Sequence, residues 1–100
     1  PLAAPPARIL VAWDPTPAAV RAVHGALPLL ARAAETVVAT VTDDKEPEEG
    51  QSGADLARLL GRHGAAARFV AVRRGRGGVH AALAAEAREI GAQLVVMGAL

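Results

Sequence analysis

Apolar residues come in two patterns that alternate along this chain. "RILVAWD" (Arg8–Asp14) is apolar at every position from Ile9 to Trp13. Such a run predicts a strand buried on both faces, hence central in a parallel sheet. Thr16 then stands as an N-cap, with Pro17 at the first helical position. Val20, Val23, Leu27 and Leu30 follow at helical spacing, and Pro28 is expected to kink or shorten this helix. "TVVATVT" (Thr36–Thr42) predicts the second strand, and "DDKEPEEGQSG" a solvated polar loop. Ser52 with Asp55 three residues on reads as a capping box. Leu56, Leu59, Leu60 and His63 make the stripe of a second helix that stops at Gly64. "ARFVAVR" (Ala67–Arg73) alternates arginine with apolar residues, which suits an edge strand. After the turn "RGRGG", Val79, Leu83, Ala87 and Ile90 space out a third helix that stops at Gly91. "QLVVMGAL" (Gln93–Leu100) is again continuously apolar through its centre and predicts a fourth, central strand.

The resulting order βαβαβαβ predicts a three-layer α/β sandwich with a parallel sheet, strand order 3-2-1-4. A central fourth strand needs a neighbour on each side. A fifth strand beyond residue 100, or a strand from another chain, is therefore expected, and the chain reads as incomplete at that end. Its start, "PLAAPPA", reads as a proline-alanine linker that something precedes. Residues 1–7 are assigned to a linker and residues 8–100 to one α/β domain.

Composition narrows the functional classes. Trp13 and Phe69 are the only aromatic residues, which argues against a stacking platform for single-stranded nucleic acid. The formal net charge of +1 supplies no global field to attract nucleic acid or an anionic membrane. There is no cysteine, so disulfides and thiolate chemistry are excluded. No apolar run is long enough to span a bilayer and no signal peptide is visible.

Ligands of open α/β sheets sit beyond the carboxyl ends of the strands, where strand order reverses. Here that point falls between strands one and four, bounded by Asp14–Pro17 and Gly98–Leu100. Two readings of Asp14 stand side by side. Its carboxylate can accept hydrogen bonds from a ribose or nearby amides, or it can tie down its own turn with Thr16. Trp13 can stack on a base or pack between sheet and helix. Arg73, Arg74 and Arg76, with Gly75, Gly77 and Gly78, can hold a phosphate or form a solvated turn, and the turn is favoured. His24, His63 and His80 are scattered with no acid at ligand spacing, so no metal site is expected. No serine nucleophile with a nearby base stands out either.

"RILVAWD…P" together with "AREIGAQLVVMGA" resembles the universal stress protein family, over nearly the whole chain from Arg8. The shared features are an Asp closing the first strand, a Gly-Ala pair closing the third helix, and an apolar fourth strand running into Met-Gly. The resemblance implies a Rossmann-like fold of strand order 3-2-1-4-5. It also implies binding of ATP or AMP and dimers built largely through the fifth strand. Carried over by position, Ala12, Trp13 and Asp14 line the adenosine pocket, and a backbone group of Val41 meets adenine. Met97 leads into Gly98, the first glycine of a phosphate loop whose missing side chain lets backbone approach phosphate closely. Two residues depart from the family: Pro15 replaces a common glycine, and Trp13 is bulkier than usual. The later glycines and the Ser/Thr of the loop lie beyond Leu100. The expectation is a cytoplasmic stress-response module that binds an adenine nucleotide. It is not expected to be an enzyme, although turnover of bound ATP stays open. Its expected partner is a second copy or a tandem domain, with no nucleic acid, membrane or metal. The alternative is a degenerate repeat without nucleotide, serving dimerisation or regulation.

Overall fold

The computed structural model describes residues 6–42 and 48–98. The other residues include most of the expected linker, the core of the acidic loop, and Ala99 and Leu100. The elements run β1 (Arg8–Ala12), α1 (Pro17–Arg32), β2 (Glu35–Thr42), α2 (Glu48–Arg62), β3 (Ala67–Arg73), α3 (Gly78–Ile90) and β4 (Leu94–Val96). The strands form one parallel sheet in the order β3-β2-β1-β4. This is the predicted three-layer α/β sandwich.

Parallel crossovers share one hand, so the direction of travel across the sheet decides which face a helix covers. The chain moves outward from β1 to β2 to β3, and α1 and α2 pack on one face against Ile9, Val11 and Val38. It then returns across the sheet to β4, and α3 packs on the other face against Leu10, Val37 and Ala39. These six strand residues are all fully buried. β1 and β2 are thus covered on both sides, as their unbroken apolar runs require.

Local details depart from the sequence expectations in three places. Helix α1 continues through Pro28 to Arg32. Pro28 lies on the exposed side of the helix, where water can satisfy the His24 carbonyl that loses its donor. Helix α2 begins at Glu48, inside the segment expected to be loop, so Ser52 and Asp55 form no capping box. Ser52 is too far along the helix to meet its unpaired amides. Its Oγ accepts from the Trp13 indole instead, and Asp55 pairs with Arg58. Strand β4 is shorter than expected and is the edge of the four strands described, paired with β1 alone. Met97 and Gly98 follow it as irregular backbone. α3 packs over β1, β2 and β3, which leaves Val95 of β4 40% exposed on that face.

The expected helix signals otherwise hold. Thr16 Oγ1 accepts from the Ala19 amide at 3.2 Å, with Pro17 at the first helical position. Gly64 and Gly91 close α2 and α3 with φ of 92° and 70°, a conformation that side chains resist. No helix among the described residues is long and apolar enough to cross a membrane.

One glycine missed in the sequence sets the approach of α2 to the sheet. A Cβ on buried Gly53 would stand 2.4 Å from Phe69 Cε1 and 2.8 Å from Thr40 Oγ1. Gly25, exposed on α1, would meet nothing within 4 Å. Alanine at a helix interior gains about 1 kcal/mol over glycine, whereas overpacking costs roughly 1–3 kcal/mol. Gly25→Ala is therefore expected to raise the urea midpoint and Gly53→Ala to lower it. Equal shifts of the same sign would show that Gly53 is not a packing constraint.

Candidate functional site

The carboxyl ends of β1 and β2, the residues after β4, and the first turns of α1 and α3 enclose an open crevice of about 770 Å3. All six residues singled out in the sequence line it: Ala12, Trp13, Asp14, Val41, Met97 and Gly98. The reversal of strand order explains why. β1 feeds α1 on one face while α3 covers the other, so the space between neighbouring β1 and β4 is left open above the strand ends.

Trp13 is held from three directions. Its N–H donates to the Ala39 carbonyl at 2.9 Å, continuing the β1–β2 ladder by one step. Its carbonyl accepts from Thr40 Oγ1 at 3.1 Å, and its indole N–H donates to Ser52 Oγ at 2.9 Å. The ring packs on the cluster shared by the sheet, α1 and α2. Of the two readings of Trp13, packing between sheet and helix is the one observed. The side chain forms a wall of the crevice.

Asp14 makes the turn contacts. Its Oδ1 accepts from the Thr16 hydroxyl at 2.6 Å and from the Thr16 amide at 3.2 Å. Thr16 in turn caps α1, so one carboxylate oxygen orients the cap that starts the helix. The other oxygen has no partner among the described residues and belongs to a side chain that lines the crevice.

Val41 contributes backbone. Pairing of β1 with β2 ends at Ala12 opposite Ala39, and Trp13 takes the Ala39 carbonyl. Groups two residues apart on a strand face the same neighbour. The N–H and C=O of Val41 therefore point to the β1 side, past the end of β1. No described residue continues the ladder to them, so they face the crevice.

The first turn of α1 leaves one comparable donor. The Thr16 amide is taken by Asp14, Pro17 has none, and Ala19 and Val20 bond to Thr16. The Ala18 N–H has no acceptor among the described residues, and Ala18 lines the crevice. Gly98 lies against this turn. A Cβ on Gly98 would come within 2.4 Å of Ala19 N and 2.7 Å of Ala18 C. The missing side chain is thus explained by the approach of backbone to backbone, with no phosphate needed.

No family model matches the chain, and no curated protein matches it. A solved structure does. The chain is similar to protein Rv1636 from Mycobacterium tuberculosis H37Rv, seen in its crystal structure. The TM-score is 0.73 at 21% identity, over 100% of this chain and 75% of that one. The likeness is one of fold.

The sequence reading missed Thr40, Ser52 and His80, which also line the crevice. His80 carried a usable signal. A helix following a parallel strand starts at that strand's carboxyl end, so a residue in the first turn of α3 must lie near the crevice mouth. Ser52 carried none, because its role depends on the helix starting four residues earlier. His24 and His63 stand elsewhere, on the seam between α1 and α2. The Arg73–Gly78 segment is an exposed turn with Gly78 at φ 88°, and none of its residues lines the crevice.

Gly98→Ala is expected to lower Tm with no ligand present. Overpacking against backbone costs roughly 1–3 kcal/mol, and each kcal/mol moves Tm by about 4–8 °C in a domain of this size. An unchanged Tm in a ligand-free melt would show that the contact with α1 does not require glycine.

Proposed function

We propose that the crevice binds an adenine nucleotide, ATP or AMP, and that the chain is a universal stress protein-type module rather than an enzyme. The observation that carries this reading is the backbone edge of Val41 above the end of β1, in a crevice also lined by Asp14, one of whose oxygens has no partner among the described residues. An adenine edge offers a donor and an acceptor side by side, which a strand's N–H and C=O match. A ribose hydroxyl can donate to the second oxygen of Asp14. The Ala18 amide, at the positive end of α1, suits the first phosphate. A volume of about 770 Å3 lies within the range of roughly 300–1,000 Å3 usual for small-molecule sites. The fold and the resemblance in "RILVAWD" and "LVVMGA" agree with the same ligand. A role in stress response, in the cytoplasm, belongs to this reading.

A second reading is favoured by Gly98 and Trp13. The fold uses both without any ligand, since one packs on α1 and the other bonds to Ser52. The same features suit a degenerate repeat that acts in dimerisation or regulation. Its partner would be a second copy or a tandem domain, met at the β4 side where Val95 is exposed.

Calorimetry with AMP, ATP and adenosine separates the two. Asp14→Asn keeps an Oδ1 for Thr16 and replaces the free acceptor by an amide donor. A hydrogen bond to a charged group contributes about 1.5–3 kcal/mol, so the substitution is expected to weaken nucleotide affinity at least about tenfold while leaving Tm unchanged. Absence of binding by all three ligands would overturn the nucleotide reading. Dimerisation by sedimentation would then favour the second.

A further inference from the structure

The turn between β1 and α1 is exposed yet stiff. Asp14, Pro15, Thr16 and Pro17 all face water. Two of these four residues are proline, whose ring fixes φ at roughly −65°. The other two each precede a proline, which holds them to extended backbone. Thr16 accordingly stands at φ −99° and ψ 154°. Side chains add to this. Asp14 Oδ1 accepts from the Thr16 hydroxyl at 2.6 Å and from the Thr16 amide at 3.2 Å. The same hydroxyl accepts from the Ala19 amide at 3.2 Å, which ties it to the first turn of α1. The carboxylate is thus anchored to a helix through Thr16, although neither residue is buried.

The hydrogen bonds at Asp14 limit what it can read. Each oxygen of a carboxylate has room for about two donors. Oδ1 already holds two, both from Thr16. The other oxygen has no partner among the described residues, and Asp14 lines the crevice. A ribose carries two neighbouring hydroxyls. A carboxylate with both oxygens open can take one hydroxyl on each. With Thr16 in place, a hydroxyl that donates to the open oxygen leaves its neighbour beside Oδ1, where both acceptor sites are taken.

We infer, on the nucleotide reading of the crevice, that Thr16 is a positioning residue that limits Asp14 to a single ribose hydroxyl. Thr16 acts through Asp14. It withholds one oxygen and leaves the other for the ligand. The contact that starts α1 in this way sets which hydroxyl of the sugar the site requires.

Calorimetry of the whole chain with AMP and with its 2′-deoxy and 3′-deoxy analogues tests it. One analogue is expected to bind at least about fivefold more weakly than AMP, and the other within about twofold of AMP. Thr16→Val removes the hydroxyl but keeps the amide and the branched side chain. It is expected to bring the two analogues within about twofold of each other, because a carboxylate freed from the hydroxyl can turn and offer either oxygen. Thr16→Ser keeps both donor and acceptor and is expected to keep the gap. Loss of the cap alone lowers the Tm of Thr16→Val and leaves the gap as it was, so an unchanged gap in that variant overturns the inference. Equal affinities of the two analogues for the unsubstituted chain also overturn it, and leave the nucleotide reading standing. A chain that binds none of the three ligands overturns both.

Discussion

β1 hides both rows of its side chains. Ile9 and Val11 point to one face of the sheet and Leu10 to the other, and all three are fully buried. A strand in that position needs a helix on each side, and a parallel chain can supply both only by reversing its direction across the sheet. The reversal has two consequences. It puts β4 beside β1, and it opens a space above them that neither the turn into α1 nor α3 fills. The crevice is therefore a by-product of covering β1. Its floor is the end of a strand buried on both faces.

Trp13 joins that floor to the helix layer. A bulky residue just past the end of β1 would cost solvation if its indole N–H were buried without a partner, about 1–3 kcal/mol. Ser52 supplies the partner, and Gly53 beside it lets α2 come close enough to do so. A Cβ on Gly53 would strike Phe69 and Thr40, the same Thr40 whose hydroxyl holds the Trp13 carbonyl. One small residue on α2 thus supports both ends of Trp13. The tryptophan in turn separates the crevice from the groove along the α1–α2 seam, which it also lines.

The parts legible in the sequence were those set by burial. An unbroken apolar run announces a strand covered on both faces, and the alternating arginines of "ARFVAVR" announced the edge where β3 lies. Thr16, Pro17 and Gly91 marked helix ends because caps are local chemistry. Asp14, Thr16 and Gly98 were legible because their positions follow from strand ends, whereas Ala12, Trp13, Val41 and Met97 entered through the family resemblance. Pairwise side-chain geometry was not. Ser52 looked like a cap because cap residues and indole acceptors are the same residue type. At Gly98 the sequence does not separate two demands, since close approach to the α1 backbone and close approach to a phosphate need the same missing side chain. Pro28 looked like a break because proline costs a hydrogen bond anywhere in a helix interior, although the stripe of Val20, Val23, Leu27 and Leu30 already placed it on the side that faces water.

The sign of the field in the crevice also follows from topology. All three helices begin at the carboxyl ends of the strands, because every connection in a parallel sheet must cross back from one end to the other. A helix N-terminus carries about half a positive charge. Among the described residues that line the crevice there is no lysine or arginine, and Asp14 is the one carboxylate. Its Oδ1 is already engaged by Thr16. The attraction this end offers an anion therefore comes from backbone amides. It is short-ranged and fixed in direction. A chain of net charge +1 can in this way favour an anion at one end of its sheet without drawing polyanions to its whole surface. Its arginines remain for other contacts: Arg21 and Arg32 are exposed on α1, and Arg58 and Arg62 on α2.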